Sequence, residues 1–379
     1  MQHCDLYANQ KMKNYIFYTF SLILLVSCNK YNTNSKIVLE ADGFADSTKI
    51  YITNIETETR DSGYIVNNKL VFLAPVEEPS LFSINTVYTS RENLQHRSFW
   101  KENKKVIIKI ENGNLNDARI EGSEIQKTVD ILEESKAILK SKLDSIINEY
   151  KAIPAELTEK RQAVRAEGGI IEKAINDTDV NFIRNHPNVL YSAITLKNLM
   201  LYTIPKDLTR ELYNILTPEI QSTKYGVSVN KYLTLSREIK VGDKAIDFQL
   251  PNLENQSVSL SDYRGKYVLL DFWSSNCGPC RIENPNLLKN YKAYRDKGFE
   301  IIGICLDKTK QTWENTVKTD SMIWTTVSDL KGFDGDVPIT YSVYFIPTYF
   351  LINPDGVIAD KIMGRGQLDD KLKAIFDKK

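Results

Sequence analysis

The stretch Asp271-Phe-Trp-Ser-Ser-Asn-Cys-Gly-Pro-Cys-Arg281 places Cys277 and Cys280 three positions apart, directly after an apolar run. That run, Tyr267-Val-Leu-Leu-Asp-Phe272, predicts a buried strand, and a helical pattern follows it from about residue 277 to residue 297. Two cysteines at such a strand-to-helix turn can exchange electrons with other proteins, bind a metal or close a loop. The remaining sequence distinguishes these three possibilities.

A helix that begins at the first cysteine gives that cysteine a particular chemistry. The unpaired N–H groups and the positive end of the helix dipole favour a thiolate at Cys277, which we expect to be exposed. Cys277 is therefore the predicted nucleophile, which forms a mixed disulfide with a substrate, and Cys280 resolves it. Gly278 and Pro279 keep the turn tight, because proline in the first helical turn costs no hydrogen bond.

The composition of the chain limits its partners and ligands. Its 379 residues suggest two or three domains, and its 49 basic and 49 acidic residues cancel, which gives no reason to expect a nucleic-acid partner. Five cysteines are too few for a disulfide scaffold. A zinc site needs about four ligands, but the chain has one Cys-x-x-Cys motif, and any histidine near it would have to be brought there by the fold. We expect neither a metal nor a cofactor.

The first 28 residues are typical of an export signal. Lys11 and Lys13 precede an apolar run, residues 15–26, that is short for a transmembrane helix, which needs ~20 apolar residues. Leu25-Val-Ser-Cys28 resembles the lipobox of bacterial lipoproteins, which implies cleavage before Cys28 and acylation of Cys28. The alternative is an uncut anchor with an incidental cysteine.

A lipid anchor at Cys28 would be followed by a polar linker, residues 29–36, that lets a globular body stand above a membrane. No acidic residue comes directly after Cys28. Resemblance to known sorting patterns then implies the periplasmic face of a bacterial membrane, and the outer membrane rather than the inner one. An exported location permits disulfide chemistry.

Residues 37–122 are predicted to form an all-β domain. Short β-branched or aromatic runs such as Lys49–Thr53 alternate with turn signals at Asp61-Ser-Gly63, Asn67-Asn68 and Asn112-Gly113. This spacing predicts a small sandwich or barrel.

Residues 123–236 are predicted to be α-helical. Ser123-Glu-Ile-Gln126 has the pattern of a capping box and predicts a helix start. Pro154 is expected to open a second helix, which Gly168-Gly169 would break, and Pro187 is expected to follow the end of a helix.

Residues 237–379 alternate strand and helix patterns. A second apolar strand is predicted at Phe299–Cys305, and Asn353-Pro-Asp-Gly356 is a hairpin turn signal between two later strands. A closing helix is predicted over residues 367–376. The β-α-β beginning and β-β-α end predict an α/β domain with helices on both faces of one sheet. Cys305, inside an apolar strand, is predicted to be a buried, unreactive thiol.

Cys277-Gly-Pro-Cys280 after Asp271-Phe-Trp273 resembles the active-site segment of the thioredoxin superfamily. Pro285 matches the proline that kinks the following helix, and Phe345-Ile-Pro-Thr348 matches the segment whose cis-proline faces the dithiol. Val241–Leu250 resembles the opening strand of membrane-anchored periplasmic thioredoxins of the TlpA/ResA type. The resemblance, which covers the C-terminal region, implies a thioredoxin fold and thiol-disulfide oxidoreductase activity.

The resemblance also implies a surface beside the dithiol that binds the substrate. Its residues would be Trp273, Asn276, Gly278, Pro279, Ile346 and Pro347. Asn276 departs from the family, which commonly has tryptophan or similar bulk before the first cysteine. We therefore expect the substrate contacts of Asn276 to differ.

Two carboxylates are assigned by the same resemblance. Asp271 matches the buried acid of thioredoxin, so its pKa is expected to be raised and it would relay the proton of Cys280. Glu283 matches the acid of the Glu-x-Pro motif in ResA-type proteins, which implies a role in tuning the cysteines and in specificity. The alternative is that Glu283 is a solvated helix residue.

The pattern D-S-x-x-x-x-N-x-x-L-x-F that starts at Asp61 resembles a β domain of unknown function that often precedes a thioredoxin domain in bacterial lipoproteins. That resemblance names no activity. One alternative function is therefore a ligand-binding lipoprotein in which residues 37–236 bind the ligand and the thioredoxin domain is auxiliary.

Two further alternatives concern the cysteines themselves. A structural disulfide that never cycles is disfavoured by the Gly-Pro between the cysteines and by the Ile346-Pro-Thr348 segment. A peroxiredoxin-like antioxidant enzyme is suggested by Val241–Leu250, because similar strands begin peroxiredoxins. Those enzymes need a proline and a threonine or serine at set places before the reactive cysteine, and Leu270–Asn276 contains no proline.

The expected partners follow from the resemblance and the export signal. Cys-Gly-Pro-Cys and the threonine after Pro347 resemble reducing members of the superfamily. The expected substrates are disulfides of exported proteins, with apocytochrome c as one candidate, as in ResA-type proteins. An unidentified membrane electron donor would then have to reduce Cys277 and Cys280 again.

Overall fold

The computed structural model describes residues 35–87, 94–364, 366 and 368–377. The predicted signal peptide, Cys28 and nearly all of the predicted linker lie outside these ranges. Within them, no helix is both long enough and apolar enough to cross a bilayer.

The first region is a sandwich of two four-stranded sheets. Its strands are β1 (Lys36–Ala41), β2 (Lys49–Asn54), β3 (Thr59–Tyr64), β4 (Lys69–Leu73), β5 (Ser80–Thr86), β6 (His96–Lys101), β7 (Val106–Ile110) and β8 (Arg119–Glu121). The strand orders are β4-β1-β7-β8 and β3-β2-β5-β6. Ile37 and Leu39 of one sheet share a core with Ile50 and Ile52 of the other. Of the two predicted architectures, the structure therefore has the sandwich.

Two local predictions in this region are wrong. Asp61-Ser-Gly63, predicted as a turn, lies inside the edge strand β3, which pairs antiparallel with β2. Polar residues suit an edge strand because they face water, and the absence of a side chain at Gly63 leaves room for Leu70. The chain turns instead at residues 55–58 and at Asn67-Asn68. Strand β1 begins at Lys36, which was assigned to the linker.

The middle region is helical, as predicted. Its helices are α1 (Glu124–Ala152), α2 (Thr158–Asn185), α3 (Leu190–Tyr202), α4 (Lys206–Ile215), α5 (Pro218–Ser222) and α6 (Lys224–Leu235). Ser123 caps α1 by accepting a hydrogen bond from the backbone N–H of Gln126 at 3.0 Å. The side chain of Gln126 does not return to Ser123 but accepts from the backbone N–H of Trp100 at 2.8 Å, which ties α1 to the sandwich.

The second helix differs from its prediction at its start and in its middle. It begins at Thr158 rather than at Pro154, and it continues unbroken through Gly168-Gly169. An isolated glycine costs a helix roughly 1 kcal/mol, which packing along a neighbouring helix can outweigh. Gly168 is buried against Leu143 and Ile146 of α1, so tertiary packing decided the outcome.

The third region has the thioredoxin fold. Its strands are β9 (Gln249–Pro251), β10 (Ser257–Ser259), β11 (Tyr267–Trp273), β12 (Phe299–Cys305), β13 (Thr325–Val327), β14 (Thr348–Ile352) and β15 (Ile358–Met363), and its helices are α7 (Gly278–Tyr294), α8 (Lys310–Thr319), α9 (Asp336–Thr340) and α10 (Leu368–Phe376). The main sheet has the order β13-β12-β11-β14-β15. Strands β11, β12 and β13 are parallel, and β14 runs antiparallel to β11.

This topology brings the functional segments to one edge of the main sheet. The carboxyl ends of β11, β12 and β13 and the amino end of β14 share that edge, which we call the carboxyl edge. Alternate residues of β11 enter the two cores on opposite faces of the sheet, with Leu270 and Phe272 on one face and Leu269 and Trp273 on the other. Asp271 shares the second face, where the core also contains Cys277 and Cys280.

Candidate active site

The two cysteines lie where β11 gives way to α7. Cys277 is the N-cap of α7, and its Sγ accepts a hydrogen bond from the backbone N–H of Cys280 at 3.1 Å. The two sulfurs are joined in a disulfide, with the Cα atoms 5.3 Å apart. Pro279 lies in the first turn of α7 and Pro285 lies inside the helix. The predicted strand, turn and helix start are therefore all present.

The cysteines are less accessible than the sequence suggested. Cys277 is 8% exposed and Cys280 is 2% exposed, so the expectation of an exposed Cys277 is wrong for this disulfide form. The physical reason is packing, because both sulfurs belong to the apolar core beneath α7, against which Ile346 also packs.

The loop formed by Phe345, Ile346 and Pro347, which we call the cis-proline loop, lies at the same edge of the sheet. The Ile346–Pro347 peptide bond is cis, as the resemblance implied. Pro347 is buried, Ile346 is half-buried and Phe345 is exposed. The backbone of Pro347 accepts a hydrogen bond from the N–H of Gly364 at 3.1 Å, and the hydroxyl of Thr348 donates to the carbonyl of Phe345 at 2.8 Å. The loop is thus anchored to the sheet on its Pro347 side.

Asp271 is a buried acid in the central strand. It is 1% exposed and lies between Gly303 of β12 and Tyr349 of β14. Burial, and secondly the charge of Glu283, raise the pKa of its carboxyl to about 8. Its Oδ2 atom has no hydrogen-bond partner among the residues described. This carboxyl therefore holds a proton at neutral pH and is free to exchange it.

Glu283 lies in the first turns of α7 and is buried, which makes the alternative of a solvated helix residue wrong. Its Oε1 atom accepts a hydrogen bond from Asn286 at 2.8 Å, and Asn286 also donates to Asp369 of α10 at 2.8 Å. The charge of Glu283 acts on the carboxyl of Asp271 and contributes to its raised pKa.

Asp307 is a residue of the site that sequence reasoning missed. Its Oδ1 atom accepts hydrogen bonds from the backbone N–H of Ser275 at 2.9 Å and from the Ser275 hydroxyl at 3.0 Å, two residues before Cys277. Asp307 is buried, and its Oδ2 has no partner within the described residues. A polar residue two positions after a buried strand, at the carboxyl edge, is the signal that would have found it.

The predicted substrate-binding residues fall into two groups. Asn276, Gly278 and Pro279 are exposed beside the disulfide. Trp273 is wholly buried beneath the sheet, so it cannot touch a substrate in this form of the protein. Trp273 instead has a role in packing, because its indole ring lies against Gly303 of the neighbouring strand.

Two further predictions concern Cys305 and the binding of a metal. Cys305 is free and buried, as predicted, and burial raises the pKa of its thiol. In the part of the chain that the structure describes, no three or more His, Cys, Asp or Glu side chains are grouped so that they could hold a metal ion.

This geometry has relatives among known proteins. Over 147 residues the chain is 36% identical to the thiol-disulfide oxidoreductase ResA of Bacillus thuringiensis subsp. konkukian, a match that covers 38% of this chain and 83% of that protein. The chain belongs to the ResA-like thiol-disulfide oxidoreductases. The ResA protein of Bacillus subtilis is 33% identical to this ResA-like chain over 126 residues, which is 33% of this chain and 69% of the relative.

Other matches concern the same part of this ResA-like protein. Residues 241–361 match the AhpC/TSA family. The crystal structure of the thioredoxin domain of a thiol-disulfide oxidoreductase from Bacteroides vulgatus is 34% identical, covers 37% of this chain and 99% of its own, and has a TM-score of 0.35. A thiol-disulfide oxidoreductase structure from Bacteroides fragilis is 34% identical, covers 35% and 99%, and has a TM-score of 0.34.

Proposed function

We propose that this ResA-like protein reduces disulfides of exported proteins, with Cys277 as the attacking and Cys280 as the resolving cysteine. The observation that carries the proposal is the pairing of Cys277, at the N-terminus of α7, with Cys280 one turn inside the same helix. A thiolate at a helix N-terminus is stabilised by the helix dipole, and a second cysteine within bonding distance completes the exchange.

The proposed reaction begins with the reduced protein. The Cys277 thiolate attacks one sulfur of a substrate disulfide, the substrate S–S bond breaks, and the other substrate sulfur leaves as a thiolate that takes a proton from water. Cys280 then loses its proton and attacks the Sγ atom of Cys277. The Cys277–Cys280 bond forms, the mixed disulfide breaks, and the substrate leaves with two electrons and two protons more than it brought.

Asp271 is proposed to relay this proton: its ionised form, the minor form at neutral pH, takes the proton of Cys280, and the acid then gives it to the departing substrate sulfur. Its pKa of about 8 is nearer to that of a thiol than the ordinary value of a carboxyl, ~3.9, which makes it a better base for a thiol proton. Burial is the main cause of this raised pKa, and Glu283 is proposed to raise it further through its charge and so to affect how easily Cys280 resolves the intermediate.

The direction of electron flow and the partners are part of the proposal. Cys-Gly-Pro-Cys and Thr348 resemble reducing thioredoxins, so the reduction potential is expected nearer ~−270 mV than ~−120 mV. Apocytochrome c is a candidate substrate, and a membrane electron donor would regenerate the dithiol. The signal pattern supports a lipid anchor at Cys28 and a position at the periplasmic face of a bacterial membrane, the outer one rather than the inner one.

Cysteine variants test the function. Cys277→Ser and Cys280→Ser are each expected to abolish catalytic reduction of insulin disulfides by dithiothreitol. Cys280→Ser is also expected to accumulate a mixed disulfide that is visible on a non-reducing gel, because Cys277 can still attack but nothing resolves the product. Cys305→Ser, which removes the buried thiol, is the matched control and should turn over normally. Unchanged insulin reduction in both active-site variants would contradict the proposal and favour a ligand-binding lipoprotein.

A further inference from the structure

The helical region contacts the segment of the thioredoxin domain that leads into the cis-proline loop. We define the lead-in segment as residues 334–344, which follow β13 and run directly into the cis-proline loop. This segment includes α9, and α9 packs against α6 of the helical region. The contacts described below all reach the lead-in segment from α3, from α6 or from Arg237, two residues after α6.

Polar contacts hold the beginning of the lead-in segment. Lys197 of α3 donates to both carboxylate oxygens of Asp334, at 2.7 and 2.8 Å, and Ser228 of α6 donates to Oδ1 of Asp334 at 2.6 Å. Lys231, one turn further along α6, contacts the backbone carbonyl of Asp334 and forms an ion pair with Asp336. Asp334 and Asp336 are therefore fixed by two helices outside the thioredoxin fold.

An aromatic contact holds the end of the lead-in segment. The ring of Tyr232 on α6 lies against the ring of Tyr344, with centroids 6.1 Å apart, and Tyr344 packs on the core of the helical region. Burial, together with Tyr344, raises the pKa of Tyr232 to about 12. The hydroxyl of Ser342 donates to the backbone carbonyl of Arg237 at 2.6 Å.

The cis-proline loop thus has two different anchors. On its Pro347 side it is held by the sheet of the thioredoxin domain, through Gly364 and Thr348. On its Phe345 side the preceding residue is Tyr344, which rests on α6. Because Ile346 packs on the core that contains both cysteines, a displacement of this side changes the surface above the dithiol.

We propose that Tyr232 is a positioning residue for the cis-proline loop, through which the helical region controls how polypeptide disulfides dock on Cys277. This inference rests on the proposed function and assigns a role to part of residues 37–236. The resemblance implies that a polypeptide lies along the loop when it brings its disulfide to Cys277, and docking of this kind is sensitive to small displacements. A small disulfide needs only access to the sulfur, so its rate depends on the thiolate and not on the loop.

The test compares two substrates on the prereduced full chain. Second-order rate constants are measured for oxidation by insulin and by glutathione disulfide, with acid quenching and thiol counting. Tyr232→Leu is expected to slow the insulin reaction about tenfold and to leave the glutathione disulfide reaction within about twofold. Tyr344→Leu should change the ratio of the insulin rate constant to the glutathione disulfide rate constant by the same factor. The double variant should change this ratio little more than either single variant does, because the two residues act through one contact.

Tyr225→Leu is the matched control. Tyr225 lies on the same helix and is as buried as Tyr232, at 7% exposed, but it packs against Trp100 and donates its hydroxyl to Glu56 of the sandwich. Its substitution should leave the ratio of the two rates unchanged. Lys231→Met, which removes a partly exposed contact and spares the core, should shift the ratio in the same direction as Tyr232→Leu even if that variant folds poorly.

Three results would overturn the inference: equal slowing of both substrates, no slowing of insulin, or the same change of ratio in Tyr225→Leu. These results differ from a failure of the proposed function. If the unaltered chain reduces neither substrate, the function itself is wrong, whereas normal insulin reduction with a constant ratio removes only the role of Tyr232.

Discussion

The β-sandwich and the main sheet of the thioredoxin domain bury their strands in different ways. In β2, every second residue is buried and the intervening ones are partly exposed. In β11, every residue after Tyr267 is buried, because helices cover both faces of the sheet. A polar residue on a sandwich strand can therefore face water, whereas Asp271 on β11 cannot. The difference shows why the sheet that is buried on both faces is the one that holds an acid with a raised pKa.

The largest effect on stability is expected from a comparison of two lysine substitutions, one in each sheet. Leu270→Lys would bury an ammonium group in the main sheet and should cost more than ~4 kcal/mol of unfolding free energy. Val71→Lys, on a strand of the sandwich where the side chain is 44% exposed, should change it by less than ~0.5 kcal/mol. Urea denaturation measures both. Similar losses in the two variants would mean that the sheets are not buried differently.

The next effect concerns Asp271, an acidic residue that the main sheet naturally buries. The folded chain keeps the proton of Asp271 up to about pH 8, whereas an unfolded chain loses it near ~3.9. The unfolded state therefore binds fewer protons between these values, and Asp271 makes stability fall as pH rises, by up to about 1.4 kcal/mol per unit. Asp271→Asn removes this slope, so relative to the unaltered chain it should gain about 4 kcal/mol of stability between pH 4.5 and pH 8.

Urea denaturation of both proteins at the two pH values measures this contribution, because titrating groups that do not interact with Asp271 cancel in the difference. The stability of Asp271→Asn and that of the unaltered chain could differ by the same amount at pH 4.5 and at pH 8. That result would show that the carboxyl is ionised in the folded protein. The amide also cannot accept the proton of Cys280, so insulin reduction by Asp271→Asn should fall although its stability rises.

The smallest effect compares one glycine in each sheet. A methyl group at Gly303 would lie 2.9 Å from the indole nitrogen of Trp273 and 3.1 Å from Thr326, both rigidly packed, so Gly303→Ala should cost ~1–3 kcal/mol. A methyl group at Gly63 would meet only the mobile end of Leu70, at 2.7 Å, so Gly63→Ala should cost less than ~1 kcal/mol. Thermal unfolding gives both values, and the reverse order would show that the sandwich is the more tightly packed sheet.

The sequence predicted those features that depend on neighbours along the chain. Strand β12 has the predicted limits, and α7 starts one residue after its predicted first cysteine. Continuous apolar runs and a helix start are local signals, so they needed no knowledge of the fold. The same holds for the alternation of strand and turn signals that predicted a small sandwich or barrel.

The features that were missed depend on contacts between distant segments. Asp307 acts on Ser275, 32 positions away, and only the parallel pairing of β11 and β12 brings them together. The burial of Cys277 and Trp273 likewise results from packing of α7 on the sheet, which a single strand pattern does not reveal. Gly63 stayed in a strand because β2 lies beside it, although glycine usually marks a turn.

The burial of Cys305 makes the folded protein suitable for counting electrons by chemical labelling. Among Cys277, Cys280 and Cys305, a thiol reagent added to the native chain finds a reactive thiol only after the Cys277–Cys280 bond has been reduced. Cys305 is enclosed, and its raised pKa keeps it as the unreactive thiol. In a chain with Cys4→Ser and Cys28→Ser, a brief pulse of reagent therefore reports the redox state. Prolonged exposure would instead label Cys305 at the rate at which β12 opens, so one reagent measures oxidation on one timescale and local unfolding on another.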